Sequence, residues 1–314
     1  WNFTTADVTP PTVNITSTSA NYTNTPFTVT FTFSEDVKNF DLNDLTLVNA
    51  TAGVFNKVNN SRYTALITPT TENTVSVSIL ADKVQDDSNS NNGNIASNVF
   101  SITYDVTKPT LAITTNTTNP TNVTSFVATF TFSEDMDDFD TSYFTVSNGT
   151  ASNFVSISDA VYTAVITATA DGSLTINVAE DETEDHAGNG NTAASYTTLA
   201  DTVKPAAAIT STLSNPTNAP FTATITFSED VLNFEMADIT LANATASNFV
   251  ATSGSVYTAL ITPTADGNVT IDLAAGVAND AATNTNTAAT PFSVLHAPTK
   301  PAVAITCTAS NPTN

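Results

Sequence analysis

One ten-residue stretch occurs three times in this chain and constrains its fold more than any other feature. It reads Phe27-Thr-Val-Thr-Phe-Thr-Phe-Ser-Glu-Asp36, and its other copies occupy residues 126–135 and 221–230. Apolar residues stand at every second position, with Thr or, at residue 127, Val between them, which is the period of a β-strand with one buried face. Each copy ends on two adjacent carboxylates. They are too costly to bury unpaired, so they belong to a loop at the end of the strand.

A second segment repeats in step with the first and sets the period of the chain. It begins at Pro11, Pro109, Pro205 and Pro301, so the period is close to one hundred residues. That is too long for a solenoid repeat and long enough for a domain with its own core. The sequence therefore predicts repeat 1 (11–107), repeat 2 (108–203) and repeat 3 (204–299). Residues 1–10 are interpreted as the end of a preceding repeat with its linker, and 300–314 as the first strand of a fourth.

Within each repeat, turn residues separate short strand-like runs every eight to twelve residues. In repeat 2 the pattern predicts strands A to G near 109–115, 125–133, 142–148, 152–157, from Val161 onward, 173–179 and 194–200. About seven strands and no helix is the pattern of an immunoglobulin-like sandwich. The predicted fold class is all-β, with tandem Ig-like β-sandwich domains arranged end to end. Tyr63, Tyr162 and Tyr257 open strand E in the three copies and are expected to pack in or beside the core.

The strongly acidic composition of the chain limits the kinds of molecule that it can bind. Lys and Arg number 7 against 30 Asp and Glu, and the formal net charge is -23. This balance argues against nucleic acid and against anionic membrane surfaces, and it favours either divalent cations or simple solubility outside the cell. No apolar run is long enough to span a bilayer, so no membrane insertion is expected of this segment. A single cysteine, Cys307, excludes an internal disulfide framework.

Acidic residues from three distant parts of each repeat are expected to meet at one end of the sandwich. The chain direction alternates from strand to strand, so the linker, the end of strand B and the FG loop share the pole where strand A begins. Oxygen ligands in a flexible cluster suit Ca²⁺ better than Mg²⁺. The candidate calcium ligands are Asp7, Glu35, Asp36 and Asp87 in the first domain, Asp105, Glu134, Asp135 and Asp185 in the second, and Asp201, Glu229, Asp230 and Asp280 in the third.

The alternative is that these acids are solvated loop carboxylates, some of them paired with Lys108 or Lys204 beside the linker proline. Asp41, Asp140 and Glu235 follow strand B closely and are weaker candidate ligands. At the last junction the linker position is Ala297, so that joint is expected to be weaker or more flexible.

Several short blocks in fixed order resemble the bacterial Ig-like tandem repeats of large secreted adhesins. They include Phe-Ser-Glu-Asp-Val, Val256-Tyr-Thr-Ala259, Ala265-Asp-Gly267 and Asp185-His-Ala-Gly-Asn-Gly-Asn191 before the Asp/Thr/Lys-Pro linker. The resemblance covers essentially the whole chain. It implies an extracellular, cell-surface extender module, often rigidified by calcium, that holds a distal binding domain away from the cell. The FG loops differ between copies, so site occupancy is expected to differ as well.

Two classes of function remain open on the sequence. The first is a structural stalk whose partners are the neighbouring repeats of the same chain. The second is a repeat that itself binds, either by recognising a glycan or by joining other copies in a fibre through strand addition. An enzyme is not expected, because neither His186 nor His296 has a plausible nucleophile partner in the sequence.

Overall fold

Three β-sandwiches follow one another in the computed structural model, which describes residues 7–19, 21–298 and 302–306. Cys307 and most of the predicted first strand of a fourth repeat lie outside these residues. So does the first part of the segment at 1–10. The prediction of an all-β chain of tandem Ig-like domains is confirmed.

Repeat 1 contains ten strands, three of them only two residues long, and one short 3₁₀ turn. The strands are β1 (Val13–Ser17), β2 (Tyr22–Thr23), β3 (Phe27–Phe33), β4 (Val37–Lys38), β5 (Leu45–Val48), β6 (Ala50–Lys57), β7 (Arg62–Pro69), β8 (Asn73–Ile79), β9 (Gln85–Asp86) and β10 (Phe100–Tyr104). The 3₁₀ turn is Leu42–Asp44.

Repeats 2 and 3 each contain seven strands, and a second 3₁₀ turn, Met236–Asp238, lies in repeat 3. The strands of repeat 2 are β11 (Leu111–Thr115), β12 (Ser125–Phe132), β13 (Thr145–Ser147), β14 (Gly149–Ser158), β15 (Val161–Ala168), β16 (Gly172–Val178) and β17 (Ala194–Ala200). Those of repeat 3 are β18 (Ala207–Thr210), β19 (Phe221–Phe227), β20 (Ile239–Ala242), β21 (Ala244–Ala251), β22 (Val256–Pro263), β23 (Gly267–Leu273) and β24 (Phe292–His296).

Each repeat is a pair of packed sheets with the strand order of an immunoglobulin domain. In repeat 2 the order is β11-β12-β15-β14 in one sheet and β13-β16-β17 in the other. With the strands lettered in sequence, these are the A-B-E-D and C-F-G sheets of the constant-type Ig sandwich. Repeats 1 and 3 have the same two sheets, and in repeat 1 the short β2 adds a parallel strand beside β10.

The period-2 pattern of strand B becomes the core of each sandwich. Phe130 and Phe132 point inward from β12 and are at most 4% exposed, and Thr129 and Thr131 lie on the other face. Phe139 reaches the same core from the loop after strand B, with its ring centroid 5.0 Å from that of Phe132. Burial of side chains of this size contributes about 1.5–3 kcal/mol each.

The tyrosine that opens strand E packs in the core, as the sequence predicts. The Tyr162 side chain is 4% exposed, and its hydroxyl donates a hydrogen bond of 2.7 Å to the Asp159 carbonyl. Tyr63 and Tyr257 make the same bond to a carbonyl three residues earlier. The ring is therefore buried while its one polar group keeps a partner, which fixes the loop before strand E.

Strand D, an edge of the first sheet, carries a β-bulge in all three repeats. The register with strand E shifts between Gly53 and Asn56, and in repeat 2 between Ser152 and Val155. Repeat 3 shifts in the same way after Ser247. Bulges bend an edge strand and so discourage pairing with another chain.

Candidate metal sites at the repeat boundaries

Each repeat brings three carboxylates together at the pole where its strand A begins. In every group the three residues offer oxygen atoms that lie within 4.8 Å of one another. One acid comes from the linker before the repeat, one from the end of strand B and one from the FG loop. We call them triad 1 (Asp7, Glu35 and Asp86), triad 2 (Asp105, Glu134 and Asp185) and triad 3 (Asp201, Glu229 and Asp280).

The linker aspartate of each triad is fixed by hydrogen bonds of its own side chain and backbone. Asp105 Oδ1 accepts a bond of 2.9 Å from the Thr107 N–H, which forms a tight turn. The Asp105 N–H donates to the Thr23 carbonyl of the preceding repeat, at 3.0 Å. Asp7 and Asp201 form the same side-chain turn. The linker therefore enters each repeat along a defined path.

The aspartate of the FG loop is buried, and nearby amides hold it in place. Asp185 is 2% exposed, and its Oδ1 accepts bonds from the Ala187 and Asn189 N–H groups. Its Oδ2 accepts a bond of 2.8 Å from Asn189 Nδ2. Asn92 and Asn284 do the same for Asp86 and Asp280. A buried carboxylate needs such donors, because desolvation otherwise disfavours its charged form.

A second asparagine, two residues further on, holds the FG loop to the sandwich. Asn191 is fully buried, and its Nδ2 donates to the carbonyls of Ala179 and Thr192. Its Oδ1 accepts bonds from the Glu182 and Thr183 N–H groups. Asn94 and Asn286 repeat all four bonds in the other copies. The loop can therefore present its aspartate from a rigid base.

The pKa of the glutamate at the end of strand B is affected by the charges of the other two acids of its triad. The pKa of Glu134 is raised by burial first, and then by the nearby charges of Asp105, Asp185 and Glu72. Burial followed by the charges of the two triad aspartates also raises the pKa of Glu35 and of Glu229. In triad 1, burial acts to raise the pKa of Asp86, but hydrogen bonds from Asn92 and Ser88 outweigh it, and the pKa lies below its ordinary value.

Within the described part of the chain, no salt bridge neutralises a triad carboxylate. Lys108 lies beside the linker proline but pairs with Glu180 and Asp181, at 2.7 and 2.8 Å. His186 Nε2 lies 3.7 Å from a carboxylate oxygen of Asp137, which is also outside the triads. Each triad thus brings together carboxylates from different parts of the chain. Among the described residues, no lysine or arginine side chain forms a salt bridge with them.

The donor set of each triad fits calcium. Ca²⁺ binds oxygen ligands at about 2.3–2.6 Å, so two ligand atoms of one ion lie no more than about 5 Å apart. The 4.8 Å limit that all three triads satisfy falls inside that range. Mg²⁺ requires near-ideal octahedral geometry at about 2.0–2.1 Å and keeps several of its waters, so it is usually bound by one or two carboxylates rather than three. Ca²⁺ would be held by the three acids, and water or backbone carbonyls would complete its shell of six to eight oxygens.

Comparison with known proteins places residues 7–294 in one family. Residues 7–104, 105–200 and 201–294 each match the family model described as a bacterial Ig-like domain. The chain belongs to the bacterial Ig-like domain family. Each matched segment contains all three acids of one triad, so the family unit and the acidic cluster coincide.

Solved structures of similar fold include bacterial adhesins. The Escherichia coli adhesin FdeC is 12% identical, with 95% of this chain and 100% of that chain covered and a TM-score of 0.46. Yersinia pseudotuberculosis InvD is 16% identical, with coverage of 92% and 98% and a TM-score of 0.41. Invasin, a bacterial integrin-binding protein, is 17% identical, with coverage of 84% and 56% and a TM-score of 0.36. The comparison with curated proteins gives no match.

Eight of the twelve candidate ligands read from the sequence lie in the triads, and the structure changes one choice. In the first Ig-like repeat it is Asp86, not Asp87, that joins Asp7 and Glu35. Asp86 is buried beside Val84 and pairs with Val37 across β4 and β9, whereas Asp87 is exposed. The aspartate lies seven residues after the end of strand F in all three repeats, and the two extra residues of the first FG loop come after it. Subtracting the 98-residue spacing of Pro11 and Pro109 from Asp185 therefore selects Asp87 instead of Asp86. Alignment on the buried residue before the loop would have selected Asp86.

The second acid at the end of strand B does not belong to the triad in any Ig-like repeat. Asp135 lines a cavity of about 180 Å³ together with the three acids of triad 2, but it is not one of the acids whose oxygens lie within 4.8 Å of one another. Asp36 and Asp230 are likewise outside their triads. That these carboxylates bind calcium stays a prediction.

The weaker candidates Asp41, Asp140 and Glu235 belong to short turns after strand B. Asp41 Oδ1 caps the 3₁₀ turn by accepting a bond from the Asn43 N–H, at 2.7 Å. Asp140 accepts bonds from the N–H and hydroxyl of Ser142, which lower its pKa. The Glu235 N–H donates to the Asp238 carboxylate. These residues therefore have a local capping role.

Two contacts that the sequence did not reveal tie each Ig-like repeat to the linker that follows or precedes it. From the EF turn of repeat 1, Glu72 Oε1 accepts bonds from the Val106 N–H and the Thr107 hydroxyl. Asp171 binds the N–H and hydroxyl of Thr202 in the same way. From the other side, Asn189 Nδ2 donates to the Asp105 carbonyl, at 3.1 Å. The Ala-Asp-Gly turn motif, which occurs at residues 170–172 and 265–267, is the sequence signal that marks the position of Asp171.

The two histidines lie at the ends of the Ig-like repeats. The His186 ring packs against Tyr22 of the preceding repeat, with centroids 5.4 Å apart. His296 Nδ1 lies 3.0 Å from the Ala265 carbonyl near the end of repeat 3. Among the described residues, no helix has the length and apolar character that a membrane span requires.

Proposed function

We propose that this segment is a spacer of a long, secreted bacterial surface adhesin, in which Ca²⁺ at the acidic triads stiffens the joints and a distal domain binds the target. One observation carries the proposal: every triad combines an acid from the linker with two acids from the repeat that follows. An ion bound there would fasten the linker to that repeat, so metal binding and joint stiffness would be coupled.

A bound ion would stiffen the joint because the triad acids are held by different parts of the chain. The FG-loop aspartate is buried and braced by asparagines, so it is part of the rigid sandwich. In triads 2 and 3 the linker aspartate is bound through its N–H to the preceding repeat, by Asp105 to the Thr23 carbonyl and by Asp201 to the Thr121 carbonyl. Without a cation the three carboxylates repel one another. With Ca²⁺ the repulsion becomes attraction, and the linker is held against the pole.

The repeated structure supports a spacer in another way. All three copies share the same triad, the same asparagine brace and the same sheets. Strands of seven to ten residues at about 3.3 Å per residue, with loops at both ends, give each domain a length of about 40 Å. A chain of such units gains reach with each copy.

The binding alternatives have less support. Strand addition would use a free sheet edge, and strand D carries a bulge in every repeat. A glycan site would need several exposed aromatic rings, whereas Tyr22 is the one aromatic among the exposed large apolar residues of the described chain. The segments that suggested strand addition, 1–10 and 300–314, lie mostly outside the described residues.

Thermal unfolding and small-angle scattering of the chain, each with excess calcium and with chelator, test the proposal. We expect calcium to raise the melting temperature, since a ligand that binds only the folded state must stabilise it. The scattering particle should become longer and stiffer, and Mg²⁺ at equal concentration should have a smaller effect. Equal melting temperature and equal shape in calcium and chelator would reduce the triads to solvated charge and refute the calcium part of the proposal.

A further inference from the structure

The two joints between complete repeats are built with unequal numbers of contacts. Joint 1 is the linker 105–109 with the facing poles of repeats 1 and 2, and joint 2 is the linker 201–205 with those of repeats 2 and 3. Both have the turn acid that binds the linker and the asparagine that binds its aspartate carbonyl. Three further contacts of joint 1 are missing or reduced at joint 2.

The first difference lies in the loop between strands A and B, which faces the FG loop of the next repeat. At joint 1, Asn24 Nδ2 donates to the Gly188 carbonyl at 2.8 Å and approaches Asn189 Oδ1 at 3.2 Å. At joint 2, the equivalent Asn122 makes one bond, of 3.2 Å, to the Thr283 hydroxyl. Thr283 has a φ of 73°, a conformation that β-branched residues rarely adopt. Joint 2 thus relies on one longer bond to a residue with a strained backbone.

The second difference is a ring contact. The Tyr22 and His186 rings pack across joint 1 with centroids 5.4 Å apart. Pro120 and Ala281 take the corresponding positions at joint 2, so no aromatic pair can form there.

The third difference is an ion pair that binds the linker to the following repeat. Lys108 contacts Glu180 and Asp181 at joint 1, and both bonds raise its pKa. Lys204 is the matching lysine of joint 2, but Ala275 and Gly276 replace the two acids. An exposed pair adds little stability, yet it restricts the angle at which the linker leaves the pole.

We propose that joint 1 is the stiffer of the two and that the segment bends at joint 2. The inference rests on the spacer role proposed above, but it does not need calcium, because all three differences are contacts of this chain's own residues. A stalk built in this way would combine a rigid pair of repeats with a hinge at a defined place.

Distances between spin labels across each joint test the inference in the full chain. Thr46, Thr145 and Thr240 are equivalent exposed positions on strand C of the three repeats. Cysteines at the first two report on joint 1, and cysteines at the last two report on joint 2, in a Cys307→Ser background so that only the introduced thiols are labelled. Pulsed electron double resonance then gives a distance distribution for each joint.

We expect a wider distribution across joint 2 than across joint 1, in chelator and in calcium alike. Replacing His186 by Ala and Asn24 by Ala should widen the distribution at joint 1 toward that of joint 2 and leave joint 2 unchanged. Asn218→Ala, the equivalent substitution in repeat 3, touches neither joint and should change neither width. Equal widths in the unmodified chain would overturn the inference, as would an unaltered joint 1 in the double variant. A failure of the calcium proposal would give a different result: the width of the distance distribution would be the same in calcium and in chelator at both joints.

Discussion

Neutralising the glutamate of every triad should have opposite effects on stability with and without calcium. The change is Glu35→Gln, Glu134→Gln and Glu229→Gln in one chain. In chelator each glutamate lies close to two aspartates, and burial together with their charges raises its pKa. Removing its charge should therefore stabilise the fold. In calcium the same charge is a ligand, and its removal should weaken the ion's stabilising effect.

The separation of the acids sets the size of the effect. The triad oxygens lie within 4.8 Å of one another, and at that upper limit two unit charges repel by about 0.9 kcal/mol in water and by about 3.5 kcal/mol at an effective dielectric constant of 20. The glutamates are half-buried, so solvent screening keeps the gain near the lower figure, at about 1–2 kcal/mol per repeat. For domains of this size, 1 kcal/mol corresponds to a change of about 4–8 °C in melting temperature. Calcium at one hundred times its dissociation constant would add about 2.7 kcal/mol to an intact site.

Differential scanning calorimetry in chelator and in excess calcium measures both effects. The Gln variant should melt above the unmodified chain in chelator and show a much smaller calcium-induced rise. Asp36→Asn, Asp135→Asn and Asp230→Asn in one chain form a matched control, since they remove the same number of charges from neighbouring positions outside the triads. A Gln variant that melts lower in chelator, or that keeps the full calcium-induced rise, would contradict this reasoning.

Three further predictions concern the same pole. In chelator, stability should rise as the pH falls from neutral toward 4.5, the ordinary pKa of glutamate. The pKa of each triad glutamate is raised above 4.5 in the folded state. Proton binding by these glutamates therefore stabilises the fold fully below pH 4.5, and this stabilisation is lost as the pH rises through the folded pKa. A pH series of thermal melts in which the melting temperature does not rise toward low pH would contradict this prediction. Asp86→Asn should remove one of the calcium sites counted by isothermal titration, and Asp87→Asn should leave the number unchanged; the reverse result would restore Asp87 as the ligand. Asn191→Ala should cost about 2–4 kcal/mol in urea unfolding, because it leaves buried carbonyls and N–H groups without partners, whereas the exposed Asn177→Ala should cost little.

Much of the fold can be predicted from local pattern. The alternating run of strand B, the turn residues and the period near one hundred residues predict the seven strands A to G of each repeat, but not the three additional two-residue strands of repeat 1. In repeat 2 the strands lie within a few residues of where the sequence places them. The pattern succeeds because a half-buried strand imposes a period of two on its own residues, whatever the rest of the chain does.

The site is less well predicted, because it depends on side-chain direction and on neighbouring repeats. That acids meet at one pole follows from the alternation of strand direction. Which of two adjacent acids faces inward does not, as Asp86 and Asp87 show. Glu72 and Asn24 act on the following linker and repeat, so their roles appear only once the domains are placed next to one another.

The short parallel pairing near the end of each repeat has a consequence for tension along the stalk. Tyr22 and Thr23 lie parallel to Thr103 and Tyr104, and single parallel bridges at Thr121 and Thr217 take the same place in the other repeats. A pull on the two ends of a repeat draws these segments past each other along their length. The load then falls on their backbone hydrogen bonds together, in shear, rather than on one bond after another. Each repeat would thus resist extension at the end of its strand G, where the next linker begins.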